Sequence, residues 1–128
     1  MCLAYQSGSS ATPTFKVSRK QYPNHARMLD NAQNEGHSLK NLKRGSGTRA
    51  AKKNRYESQK AIRKKQGGPP KGYDYDEFPY ASTKQGGAGA HVEPVPSAEN
   101  QAVGRDLGQF YRKYGIQEDD LFNVEIVE

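Results

Sequence analysis

Tryptophan is absent from this 128-residue chain, cysteine occurs once and methionine twice. Cys2 has no partner, so no disulfide within the chain can staple the fold. Apolar residues make up only 33% of the sequence, which predicts a thin core and a loop-rich single domain. No apolar run approaches membrane-spanning length, and Met1–Thr14 has neither the basic start nor the apolar stretch of a signal peptide. The expectation is a soluble monomer without membrane insertion and without an export address of its own, which leaves secretion or delivery as part of a longer exported polypeptide open. His25, His37 and His91 show no HxxxH spacing and no Cys/His cluster exists, which argues against zinc. No Ser or Cys nucleophile is supported, and the glycine-rich run Gly86–Gly89 lacks the Lys-Ser/Thr ending of a phosphate loop.

Charge is plentiful and unevenly placed. The net value is +6, yet Ser38–Lys71 holds twelve Lys and Arg against the single acid Glu57, while Gly72 onward holds four bases against eleven acids. A basic half gathers a polyanion by counterion release, and an acidic half can hold a divalent cation. Together they suit an enzyme that cuts phosphodiesters. A solvated helix face is the plain alternative for the basic run.

The Ser/Gly/Thr-rich segment Met1–Thr14 reads as a flexible lead-in to one domain, Phe15–Glu128. Phe15–Val17 reads as a short strand, and Pro23 opens a helix that Gly36 closes. Thr48–Arg63 reads as a surface helix with its basic side outward, ended by the break Gln66–Gly72. Phe78–Thr83 and Ala90–Val95 read as a hairpin around the turn Lys84–Gly89. Ser97 suits an N-cap, and Val103, Leu107, Phe110, Tyr111 and Tyr114 form a helical stripe ending at Gly115. Gly104 and Gly108 on that helix suggest close backbone packing. Leu121–Val127 alternates as a closing strand. The fold class is α+β: a small ββα-metal-like core of hairpin plus helix, with additional N-terminal helices and a C-terminal strand.

The segment Gly72–Pro79 packs Asp74, Asp76 and Glu77 into four residues. Their mutual repulsion is costly unless a cation or basic neighbours offset it. Mg²⁺ takes a few carboxylate oxygens and leaves its other positions to water and substrate phosphate. Asp76 is the favoured direct ligand and Glu77 a ligand or water-positioning base, with Asp74 as a possible addition; a solvated acidic loop is the competing reading. Asn100, three residues before Val103, projects on or beside the helix's buried face, where its amide oxygen suits the same ion. A local bond to backbone is its alternative. His91, on the returning strand, is a candidate general base. Arg49, Lys52, Lys53 and Arg55 recur at near-helical spacing and suit successive phosphates. Tyr56, Tyr73 and Tyr75 suit either stacking on bases or filling the core.

These residues resemble a known family. Gly72–Thr83 (GYDYDEFPYAST), Gly86-Gly87, Gly89-Ala90, Val95-Pro96 and Glu99-Asn100 with Gly104 are similar to the NucA/NucB bacterial deoxyribonucleases. Tyr22-Pro23 with Ala26, Gly36-His37 and Asn54-Arg55 with Ser58 follow the family's order, so the resemblance spans about Phe15 to Val127. It implies a non-specific, Mg²⁺- or Mn²⁺-dependent endonuclease with a ββα-metal-like core. It also implies that Asp76 and Glu77 are essential, that Asn100 shares their site and that Arg55 contacts phosphate. Secreted members carry Trp in place of Phe78 and Cys in place of Thr83. Neither swap touches the proposed site; the Tyr80–Thr83 wording (YAST) and the missing signal point to the toxin-domain type, whose members act on DNA and are neutralised by a cognate immunity or inhibitor protein. A non-catalytic basic nucleic-acid-binding protein and a ribonuclease on the same scaffold are the alternatives.

Overall fold

The computed structural model describes residues 11–128, so most of the proposed lead-in, with Cys2, lies outside the described residues. Strand β1 (Thr14–Ser18) begins one residue before the expected domain boundary. It turns Phe15 and Val17 inward and pairs in parallel with β5 (Leu121–Val127), Phe15 opposite Val124. The first and last strands of the domain are thus neighbours. A two-residue strand, β2 (Leu42–Lys43), pairs antiparallel with the start of β5 and completes a three-stranded sheet.

Helix α1 (Pro23–Asn34) starts at proline as expected and buries His25, Ala26, Met28, Leu29 and Ala32. No side chain of its own caps its start. That role falls to Glu99, whose carboxylate accepts the His25 backbone N–H at 2.6 Å and the Asn24 amide at 2.9 Å. Tyr22, just before the helix, donates its hydroxyl to Asp106 at 2.5 Å, and this bond to a carboxylate pushes its phenol up to about 12. Helix α2 (Thr48–Gln66) runs three residues past the expected end at Arg63, takes in the first residue of the break, and buries only Ser58 and Gln59. It is the expected surface helix, with Arg63, Lys64 and Lys65 in its last turn complementing the helix dipole.

The hairpin differs from expectation. Its first strand is β3 (Tyr73–Phe78), so the acidic segment lies within the strand and not ahead of it. Pro79 supplies no N–H to continue the ladder, and residues 79–90 instead form a connection that lies against the end of β2, Arg44 opposite Thr83. The returning strand β4 (His91–Pro96) pairs antiparallel, Phe78 opposite His91 and Tyr73 opposite Pro96. Within the connection, Thr83 is buried and donates its hydroxyl to the Tyr80 carbonyl. Asn54 of α2 donates to the Ala81 and Thr83 carbonyls. A Cβ on Gly86 would sit 2.4 Å from the Tyr80 carbonyl oxygen, so only glycine fits this approach.

Helix α3 (Ser97–Lys113) follows β4 directly and buries Val103, Leu107, Phe110 and Tyr111. Phe110 packs on Phe15 and Phe122, with ring centroids 5.4 and 5.8 Å away, and fastens α3 to the three-stranded sheet. Two details of this helix correct the sequence reading. Tyr114, expected in the stripe, lies past the helix end and is exposed. Ser97 is the first helical residue and not the cap; its hydroxyl donates to Asp74.

Candidate active site

Two buried carboxylates sit side by side on β3. Asp76 and Glu77 are 6% and 7% exposed, at the floor of a cavity of about 290 Å³ enclosed by α1, α2, β3 and α3. Burying two adjacent acids costs several kcal/mol unless each is tied to donors or a cation. The ties differ. Asp76 is held by His25, whose Nδ1 lies 2.5 Å from its Oδ2, and by the Glu77 backbone N–H at 2.9 Å from its Oδ1. His25 in turn meets the Tyr80 hydroxyl at 2.8 Å through Nε2, and the two rings stack nearly parallel. Burial, with Asp76 nearby, pushes the Tyr80 phenol well above its ordinary value. A carboxylate only accepts, so Nδ1 carries a proton pointed at Asp76.

Glu77 is tied more loosely. Gln59 of α2 donates to its Oε1 at 3.3 Å, and Arg63 holds Gln59 in turn. Burial raises the Glu77 pKa; the bond from Gln59 and the charge of Arg55 oppose that rise without cancelling it. The result is a buried carboxylate with surplus affinity for positive charge.

Asn100, from the first turn of α3, lines the same cavity. Its Nδ2 donates to Asp74 at 3.1 Å, which orients the amide and leaves its oxygen as the free end. Asp74 itself is spent on this support: it accepts from Asn100, Ser97 and Gln101. Burial alone would raise its pKa, but the three hydrogen bonds prevail and lower it. It does not line the cavity and stands behind Asn100.

Among the described residues, no three His, Cys, Asp or Glu side chains converge as a protein-built metal cage requires. Two carboxylates and an amide oxygen are instead the sparse, all-oxygen donor set that suits a hard cation retaining water. It does not suit zinc.

Arg55 lines the cavity opposite these groups; Lys52 lines a neighbouring cleft, while Arg49 and Lys53 are exposed and line neither. His91, the candidate general base, is engaged elsewhere. Its Nδ1 and Nε2 lie 2.8 Å from Glu35 and 2.7 Å from Glu93, so neither nitrogen is available to the cavity. Tyr75 is buried with its hydroxyl on the Gly67 carbonyl, whereas Tyr56 and Tyr73 are exposed.

Gly104 and Gly108 also line the cavity. A Cβ on Gly104 would meet nothing within 4 Å, and one on Gly108 only an Arg112 nitrogen at 3.7 Å. Close backbone packing is therefore not their role. They leave the wall of α3 bare where the cavity opens.

Sequence reasoning missed His25 and Glu99. His25 stands 51 residues from Asp76 and carries no spacing motif. Glu99 entered only through the resemblance, as the neighbour of Asn100, and the helix it serves is α1, not its own.

The model of the family described as deoxyribonuclease NucA/NucB matches residues 26–125. A protein of Bacillus subtilis (strain 168) named DNA-entry nuclease is 35% identical over 112 residues, 88% of this chain and 71% of its own length. The stretch so matched contains β3, β4 and α3, with every residue of the cavity except His25, which falls one position before the family match. The chain belongs to the NucA/NucB deoxyribonuclease family.

Proposed function

We propose that this protein is a metal-dependent, largely non-specific endonuclease that hydrolyses DNA phosphodiester bonds at the cavity on β3. The observation that carries the reading is the meeting of Asp76, Glu77 and Asn100 with the cationic Arg55 around one opening. Family membership supplies the substrate class.

Asp76, Glu77 and Asn100 would hold Mg²⁺ or Mn²⁺. Bound there, the ion supplies Lewis acidity toward a phosphate oxygen and offsets charge on the leaving 3′ oxygen. The remaining steps belong to the chain's own groups. His25, fixed by Tyr80, keeps Asp76 from rotating. Arg55 binds the scissile phosphate from the α2 side and offsets the charge that grows on it. Glu77, held loosely by Gln59, orients the attacking water beside the ion. With both His25 nitrogens engaged and His91 turned away, Glu77, reached by Gln59 at 3.3 Å, is the more loosely held of the cavity's two carboxylates.

None of the helices of the described residues is long and apolar enough to cross a membrane. We further propose that the domain acts as the toxin part of an exported bacterial protein, as a monomer, with a cognate immunity protein covering the cavity.

A plasmid assay tests the central reading. Nicking in Mg²⁺ or Mn²⁺ should stop with chelator, fall steeply with added salt and drop at least about a hundredfold in Asp76→Ala. RNA added as competitor reports substrate preference. Undiminished cleavage by folded Asp76→Ala would overturn the assignment.

A further inference from the structure

A second cleft of about 390 Å³ adjoins the first, and Arg55 and Ser82 line both. We propose that it is a phosphate-binding site, taking the DNA backbone phosphate next to the scissile one; the proposal rests on the nuclease reading for its place in the reaction. Arg44, Lys52 and Arg55 line the cleft and no carboxylate does. None of the three makes an ion pair among the described residues. The acids close to Arg44 in the fold are engaged elsewhere, Glu118 and Asp119 by Lys84 and Asp120 by the Gln117 N–H. Three unpaired cations around a cavity without an anion repel one another unless an anionic ligand enters.

Arg44 gives the site its built character. It follows β2, and its Nη1 donates to the Ile116 carbonyl while its guanidinium stacks 4.5 Å above the Tyr111 ring. The side chain is half-buried and held from behind. Its remaining N–H groups form a fixed fork, the geometry that matches two phosphate oxygens. The wall it shares with the first cavity is equally fixed. Ser82 meets the Tyr111 hydroxyl at 2.6 Å, and the Ser82 carbonyl accepts the Gly45 N–H at 2.7 Å. One strand of a polyanion laid along α2 would present one phosphate to Arg55 above the carboxylates and the neighbouring one to Arg44 and Lys52. Arg44 carries no helical spacing in the sequence and enters the phosphate track only through the fold.

Binding in chelator reads this cleft without turnover. A labelled 12-base-pair duplex is titrated by anisotropy across a salt series with wild type, Arg44→Gln, Lys52→Gln and Lys65→Gln, each checked by circular dichroism. Lys52 is exposed, so its variant folds even if Arg44→Gln does not. The expected result is a Kd raised about tenfold and a salt slope reduced by about one in Lys52→Gln and in folded Arg44→Gln. Lys65→Gln, at the far end of α2, should bind almost as wild type. Unchanged slopes in the two cleft variants, or an equal loss in Lys65→Gln, would overturn the site in favour of diffuse attraction. Failure of the wild type to nick plasmid would sink the nuclease reading while leaving an altered slope as evidence for the cleft.

Discussion

His25 Nδ1 lies 2.5 Å from Asp76 Oδ2, with both side chains buried, and joins the first helix to the acidic strand. Metal-binding carboxylates work when their orientation is fixed before the ion arrives. Here Tyr80 fixes the imidazole and the imidazole fixes the carboxylate.

Removing that support has two consequences. His25→Ala leaves Asp76 and the Tyr80 hydroxyl without their buried partner, which should cost about 2–3 kcal/mol of stability. Plasmid cleavage should fall about 10- to 100-fold. Tyr80→Phe removes only the outer bond and should cost less on both counts. Wild-type cleavage by His25→Ala would show that Asp76 needs no such support.

Gly104→Ala tests the bare wall of the cavity. Alanine in a helix interior is favoured over glycine by about 1 kcal/mol, and the new methyl clashes with nothing. The variant should melt higher yet cleave DNA more slowly, because the methyl occupies space where substrate enters. A stabler variant with unchanged KM and kcat would contradict that role.

His91 ties Glu35, beyond the end of α1, to Glu93 on β4. Burial lowers its pKa, but the two carboxylates prevail and raise it above 6.5. A raised folded-state pKa gives stability that is full below about 6.5 and lost as pH climbs through the folded value. His91→Ala should therefore lower the melting temperature more at pH 6 than at pH 9. Equal losses at both would show that the ion pairs contribute nothing.

Glu77 carries the opposite charge logic. Its raised pKa means that the metal-free fold gains from protonated Glu77 below pH 4.5 and loses that gain as pH rises. At pH 7 without metal, Glu77→Gln should melt a few degrees above wild type, while added Mn²⁺ should stabilise wild type alone. A lower melting temperature for the variant would contradict the picture of a strained carboxylate awaiting a cation.

Much of this arrangement was legible from residue order. Proline at the start of α1, the apolar stripe of α3 and the alternation in β5 each carry a local signal. The density of acids in Gly72–Pro79 pointed to the strand that lines the cavity. Other parts depend on distant partners. Asp and Glu are poor strand formers, so placing Asp74–Glu77 inside β3 takes the pairing with β4. β2 is two residues long and exists only because β5 is there to receive it. Glu99 at the start of α1, and Arg44 pinned on Tyr111, join residues 74 and 67 positions apart.

The most direct measurement is a calorimetric titration of Mn²⁺ into wild-type protein and Asp76→Asn, a swap that keeps shape and removes charge. The account predicts one site per wild-type chain and an affinity at least about tenfold weaker in the variant. Equal affinity in a folded Asp76→Asn protein would contradict it.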